Sequence, residues 1–128
     1  MKTSIAREVS ELLSRGKDER SRAKLDVLRV LVVNRGTSWR SELIQDLRLL
    51  YDFKGEPEEV DEGALDRALD ELHRGGLLRV EERVRGMLAA GKSERDKLIS
   101  LTDYAKIRDA MSSDRILTLY MCSRVSGV

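Results

Sequence analysis

The chain has little of what small cross-linked or metal-dependent proteins are built from. Cys122 is the sole cysteine among 128 residues, which excludes an internal disulfide and a multi-cysteine zinc site. His73 is the sole histidine, so no pair of imidazoles exists to hold a metal, and a Ser-His-Asp triad would have no ring to spare. Chemistry would have to come from carboxylates alone. No stretch approaches the roughly 18 consecutive apolar residues of a membrane span, and Met1 to Glu8 has no apolar signal core. A cytoplasmic protein without membrane contact is expected. Side-chain amides are as scarce: Asn34 and Gln45 are the only ones, against 37% charged residues. That balance suits a thermophile.

Apolar residues make up 41% of the chain and recur at structured spacings, which predicts one folded domain over 1–128. Ile5, Val9, Leu12 and Leu13 share one helical face, and Gly16 ends that helix. A second, central helix follows Lys17–Arg20, with Leu25, Leu28, Leu31 and Val32 facing inward and Arg35-Gly36 closing it. Thr37 and Ser38 are expected to cap a third helix carrying Leu43, Ile44, Leu47, Leu50 and Tyr51. Asp52 to Val60, with Gly55 and Pro57, reads as a loop. Asp61 caps a fourth helix, with Val60 and Leu65 as a hydrophobic staple and Leu65, Ala68, Leu69 and Leu72 as its buried stripe.

After Gly75-Gly76 the period changes to two. Leu78, Val80 and Val84 point one way, and Arg79, Glu81, Arg83 and Arg85 the other, as in a half-buried strand. Gly86 to Asp96 is expected as a loop, and Lys97 to Thr102 as the returning strand of a hairpin. Thr102 or Asp103 caps a further helix with Tyr104, Ile107 and Met111 on one face. Residues 114–125 allow either a last helix or a short strand. The fold class is thus mainly α with a small β-hairpin.

Two stretches carry a family likeness. Ala64-Leu65-Asp66-Arg67-Ala68-Leu69-Asp70-Glu71-Leu72-His73-Arg74-Gly75-Gly76-Leu77-Leu78-Arg79-Val80 is similar to the recognition helix and first wing strand of winged helix-turn-helix regulators of the MarR, PadR and ArsR types. Leu98-Ile99-Ser100-Leu101-Thr102-Asp103-Tyr104-Ala105-Lys106 resembles their wing-exit strand, although Asp103 and Ala105 stand where many members have Pro and Gly. The resemblance covers about residues 20–112. It implies a winged helix and a DNA-binding transcriptional regulator, with 1–16 and 113–128 as flanking segments that make a homodimer.

The resemblance also implies a DNA-contact set. The third helix would offer its N-terminus to a phosphate, with Thr37, Ser38 and Arg40 there. The fourth helix, with Arg67 and Arg74, would enter the major groove. Wing contacts would come from Arg79, Arg83, Arg85, Lys92, Arg95 and Lys97. Charge runs against part of this: the net charge is +5 over 1–40, −7 over 41–75 and +3 over 76–128. The outward face of the fourth helix is expected to hold Arg67, Asp70, Glu71 and Arg74. Glu62 and Asp66 stabilise its N-terminus through the helix dipole, but Asp70 and Glu71 have no such role. The alternative is therefore a winged helix that binds protein partners within a larger assembly.

The remaining candidates have plainer readings. His73 reads as a surface residue at a helix end rather than a pH switch or metal ligand. Cys122, among Leu119, Tyr120 and Met121, reads as a small buried apolar residue rather than a redox sensor. Trp39 is expected to pack the third helix on the core. Glu56 to Glu62 lacks the alternating ligands and turn glycine of a calcium loop and reads as solvated. Met87 and Leu88, at the wing tip, are the candidate partner contact. A carboxylate pair such as Asp66 and Asp70 has no phosphate-binding loop or nucleophile beside it, so no catalytic residue, cofactor or metal is expected.

Overall fold

The computed structural model describes residues 4–87 and 92–126. Among them are six helices and a three-stranded antiparallel sheet. The helices are α1 (Ile5–Ser14), α2 (Glu19–Val33), α3 (Arg40–Lys54), α4 (Glu62–Arg74), α5 (Tyr104–Ala110) and α6 (Arg115–Ser126). The strands are β1 (Thr37–Trp39), β2 (Leu78–Met87) and β3 (Lys92–Leu101), in the order β1-β3-β2. The expected helix, helix, helix, helix, hairpin, helix sequence is present, and 114–125 resolves as helix.

Local chemistry explains most boundaries. Ser4, Asp18, Asp61 and Asp103 each accept a backbone N–H from the first turn of the helix that follows, satisfying donors that the helix itself cannot. The N–H of Ser21 holds the Asp18 carboxyl below its ordinary value. Val60 packs against the core beside the buried Leu65, as a staple should. α2 is the centre: Leu25, Val27, Leu28, Val30, Leu31 and Val32 are all essentially inaccessible. α1 packs on α2 and α5, and α4 packs on α2 and β2.

Three expectations fail, each for a local reason. Thr37 and Ser38 are not helix caps but strand residues. Arg35 and Gly36 adopt φ of 61° and 101°, turning the chain so that Thr37, Ser38 and Trp39 lie opposite Ser100, Ile99 and Leu98. Trp39, half-buried, takes the cap position of α3, and its side chain does not cap the helix. Only glycine suits the turn at 36, because a Cβ there would lie 3.3 Å from the Tyr104 ring besides meeting the positive φ.

The second failure is the 86–96 loop. Both strands continue through it, with paired register as far as Met87 opposite Lys92. The segment has no apolar alternation to reveal a strand, and its pairing shows only in the backbone register, in which Glu82 stands opposite Lys97 and Arg83 opposite Asp96. Because the hairpin outruns the core, Val84 lies on the same face as Leu78 and Val80 yet is 62% exposed. Third, Cys122 is exposed, not buried. Leu117 and Tyr120 form the buried stripe of α6, and a residue two positions past Tyr120 falls on the opposite side of the helix.

Candidate nucleic-acid interface

α3, α4 and the hairpin meet at a cleft of about 250 Å³ lined by Arg40, Asp66, Glu82, Arg95, Asp96 and Lys97. α3 delivers Arg40 from its first residue, α4 delivers Asp66, β2 delivers Glu82, and β3 delivers Arg95, Asp96 and Lys97. The Arg40 guanidinium is already engaged. Its Nε donates to Asp66 Oδ1 at 2.9 Å, and Nη2 donates to Asp66 Oδ2 and Glu62 Oε1 at 3.1 Å each. These bonds, those to Asp66 foremost, hold the Arg40 pKa above its ordinary value. Ser41 Oγ donates to Asp96 Oδ2 at 2.5 Å, and the Lys97 N–H donates to Asp96 Oδ1 at 2.8 Å. Thus Asp66 and Asp96 are internally satisfied.

The sequence-predicted contact residues divide accordingly. Arg67 and Arg79 are exposed and make no ion pair among the described residues, and the same holds for exposed Arg95 and half-buried Lys97. Arg74 pairs with Asp70 at 3.1 Å, and Arg83 with Glu81 at 2.7 Å. Both are solvent-facing pairs of small energetic weight, which a phosphate could displace. Thr37 is exposed on β1, its Oγ1 3.4 Å from Ser100 Oγ. Ser38 is buried and donates to the Trp39 carbonyl, so its side chain does not face solvent. Arg85, Met87 and Lys92 are placed as strand residues by backbone only, and Leu88 lies outside the described residues. His73 is exposed at the end of α4, with Nδ1 3.0 Å from the Leu78 carbonyl.

The carboxylates of α4 have structural partners that spacing alone did not suggest. Glu71 turns toward α2, where Arg20 and Lys24 pair with it. The Arg20 hydrogen bond holds the Glu71 carboxyl below its ordinary range. With Asp70 held by Arg74, and Asp66 and Glu62 by Arg40, every carboxylate of α4 has a cationic partner within the fold. The expectation that Asp70 and Glu71 lack a structural role is overturned.

A second polar assembly was not singled out by sequence. Arg29, in the middle of the valine-rich α2, is buried, as are Asp26 and Asp114. Arg29 donates to both oxygens of Asp114, at 2.7 and 3.1 Å, and to Asp26 at 2.8 Å. Lys54 Nζ donates to both oxygens of Asp26 at 3.0 Å and pairs with Glu56 at 3.2 Å. Burial opposes the charge on Arg29, but the bonds to Asp114 and Asp26 outweigh it and hold its pKa above the ordinary value. The signal available in the sequence was an arginine at a position that helical period places inside.

Beside this network a cavity of about 580 Å³ opens between α2, α3, α4 and the 55–61 loop. Tyr51 forms one wall, with Lys54 Nζ 5.6 Å from its ring centroid. Burial, and then the carboxylates of Asp26, Glu56 and Asp61, push the Tyr51 hydroxyl up to about 12. Because the folded state favours the neutral phenol, Tyr51 contributes stability that is intact below about pH 10. That contribution is lost as pH rises toward 12. A spectrophotometric tyrosinate titration should show one component near pH 12 that disappears in Tyr51→Phe. The same component persisting in Tyr51→Phe would show the assignment wrong.

Among the described residues no cluster of three or more His, Cys, Asp or Glu is placed to hold a metal, and no helix is long and apolar enough to cross a membrane. No protein-family model matches the chain, and no curated protein matches it.

Proposed function

We propose that the chain is a winged helix-turn-helix module that binds double-stranded DNA as a transcriptional regulator, with α4 as the recognition helix and β2–β3 as the wing. The observation that supports this best is the set of uncommitted cations, Arg67, Arg79, Arg95 and Lys97, on the helix and hairpin that would straddle a duplex. Phosphate contacts of this kind position a protein on DNA without reading sequence. Arg40 is the exception in the set, because Asp66 and Glu62 already occupy its guanidinium. It acts instead as a strut between α3 and α4.

The pairing of the α4 carboxylates also bears on base reading. Asp66 and Asp70 stay on the exposed side of the helix even though paired. Contact with a polyanion would therefore be led by the wing, with α4 inserting less deeply than a basic recognition helix. An isotope-labelled sample titrated with a short duplex tests this arrangement. The largest amide shifts are expected over β2, β3 and the exposed face of α4. Shifts confined to α3 and α6 would contradict it.

A second reading, contact with protein partners, is favoured by a different observation. Large apolar side chains are exposed on α3 and α6, away from the cleft.

A further inference from the structure

Between α2 and α4 the packing is built from small side chains. Ala23 of α2 and Ala64 and Ala68 of α4 stand where most inward positions of those helices carry leucine or valine. All three line the cavity of about 580 Å³ between α2, α3, α4 and the 55–61 loop. That volume falls within the roughly 300–1,000 Å³ of small-molecule sites. Buried Val27, Leu47, Leu65 and Ala68 give it apolar walls, and half-buried Tyr51 brings a phenol to it. Apolar walls with a few polar groups are the usual make-up of a ligand pocket.

We propose that this cavity binds a small organic cation, an ammonium head on an apolar body. The charges around it choose the sign. Six carboxylates and four cations line the cavity, and two of the cations are already spent. Lys54 Nζ contacts both oxygens of Asp26 and one of Glu56, and an ammonium has only three protons to donate. Arg20 pairs with Glu71. The other two, Arg22 and Arg67, are exposed, and the charges that act on the Tyr51 hydroxyl are those of Asp26, Glu56 and Asp61, all negative. Two of these carboxylates keep acceptor capacity. Glu56 gives Oε2 to Lys54, and Asp61 gives Oδ1 to the Ala64 N–H. The second oxygen of each has no bond among the described residues. An ammonium beside Tyr51 supplies the donor these oxygens lack, through charge-assisted bonds of the stronger kind. An anion of the same shape meets the same carboxylates and is repelled. A neutral molecule keeps only the apolar walls. The proposal does not depend on the DNA reading.

Titration of the isotope-labelled protein with phenethylamine, phenethyl alcohol and hydrocinnamate tests it, because the three share a body and differ in the charge of the head. At about pH 7 the amine carries its proton and the acid has lost its own. The amine should bind saturably and roughly tenfold or more tighter than the alcohol, and the acid should bind most weakly. Amide shifts should centre on the cavity, at Ala23, Tyr51 and Ala64. Glu56→Gln with Asp61→Asn should bring the amine down to the affinity of the alcohol. Both replacements keep the side-chain shape, and asparagine still caps α4. Ala64→Leu should fill the space and abolish amine binding, with circular dichroism unchanged. No saturable binding of the amine overturns the proposal, as does an alcohol or acid that binds equally well. A preference for the amine that survives loss of both carboxylates overturns it too, as does undiminished binding to a folded Ala64→Leu variant.

Discussion

Arg29→Met is expected to cost about 3–5 kcal/mol in chemical unfolding, a large share of the roughly 5–15 kcal/mol that holds a domain together. The substitution keeps an unbranched, apolar stem but ends short of the guanidinium and removes every donor. Asp114 would lose both of its bonds from Arg29, at 2.7 and 3.1 Å, while remaining buried. Asp26 would lose one bond and keep Lys54. The cost is therefore that of stranding a buried carboxylate, not merely of deleting an ion pair. Replacing the partner as well should recover much of the loss, because a buried pair exchanged for apolar residues is often near neutral. Arg29→Met with Asp114→Leu should be more stable than Arg29→Met alone. If both variants unfold at the wild-type denaturant midpoint, the network carries none of the weight assigned to it. Asp114 immediately precedes α6, and the Thr118 N–H bonds its carbonyl. Loss of the Arg29 anchor should thus expose α6 first, visible as faster amide exchange there than in α2.

Arg95→Gln with Lys97→Gln is expected to weaken duplex binding by roughly 60-fold at about 0.1 M salt and to flatten the slope of log K against log salt by about 2. The size follows from counterion release, in which each phosphate contact contributes a slope of about 0.9. Tenfold dilution from 1 M salt therefore strengthens binding by nearly tenfold per contact. Glutamine is the informative replacement because Lys97 stands opposite Glu82 in the hairpin. A glutamate at 97 would repel that neighbour and disturb the strand pairing. The double variant should keep wild-type stability, since neither side chain has an ion-pair partner among the described residues. An unchanged slope with normal folding would move the contact away from the hairpin base.

The helices were legible because burial imposes a 3.6-residue period on Leu25, Leu28 and Leu31, and on Leu65, Leu69 and Leu72. The caps at Asp18, Asp61 and Asp103 act within three residues, so Asp61 was readable as a cap, and Asp103 as one of two candidates beside Thr102, before any fold was known. What spacing could not convey was interaction over long separation. β1 exists because Thr37 to Trp39 find Leu98 to Ser100, some sixty positions away. Glu71 looked idle on its own helix because Arg20, 51 positions earlier, satisfies it. Arg29 and Asp114 are 85 positions apart. The distal hairpin was hidden for another reason: it runs past the core, so its residues need not alternate apolar with polar to form a strand. Of the candidate interface, residue types and elements were readable. Which cations are already spent, Arg40 above all, needed the fold.

The most direct measurement is fluorescence anisotropy of the wild-type protein with a short mixed-sequence duplex over a range of ionic strengths. Four uncommitted cations, Arg67, Arg79, Arg95 and Lys97, predict tight binding at low salt and a log–log slope of about −3 to −4 per chain. No binding at low ionic strength, or binding whose affinity is indifferent to salt, would contradict a duplex-binding role.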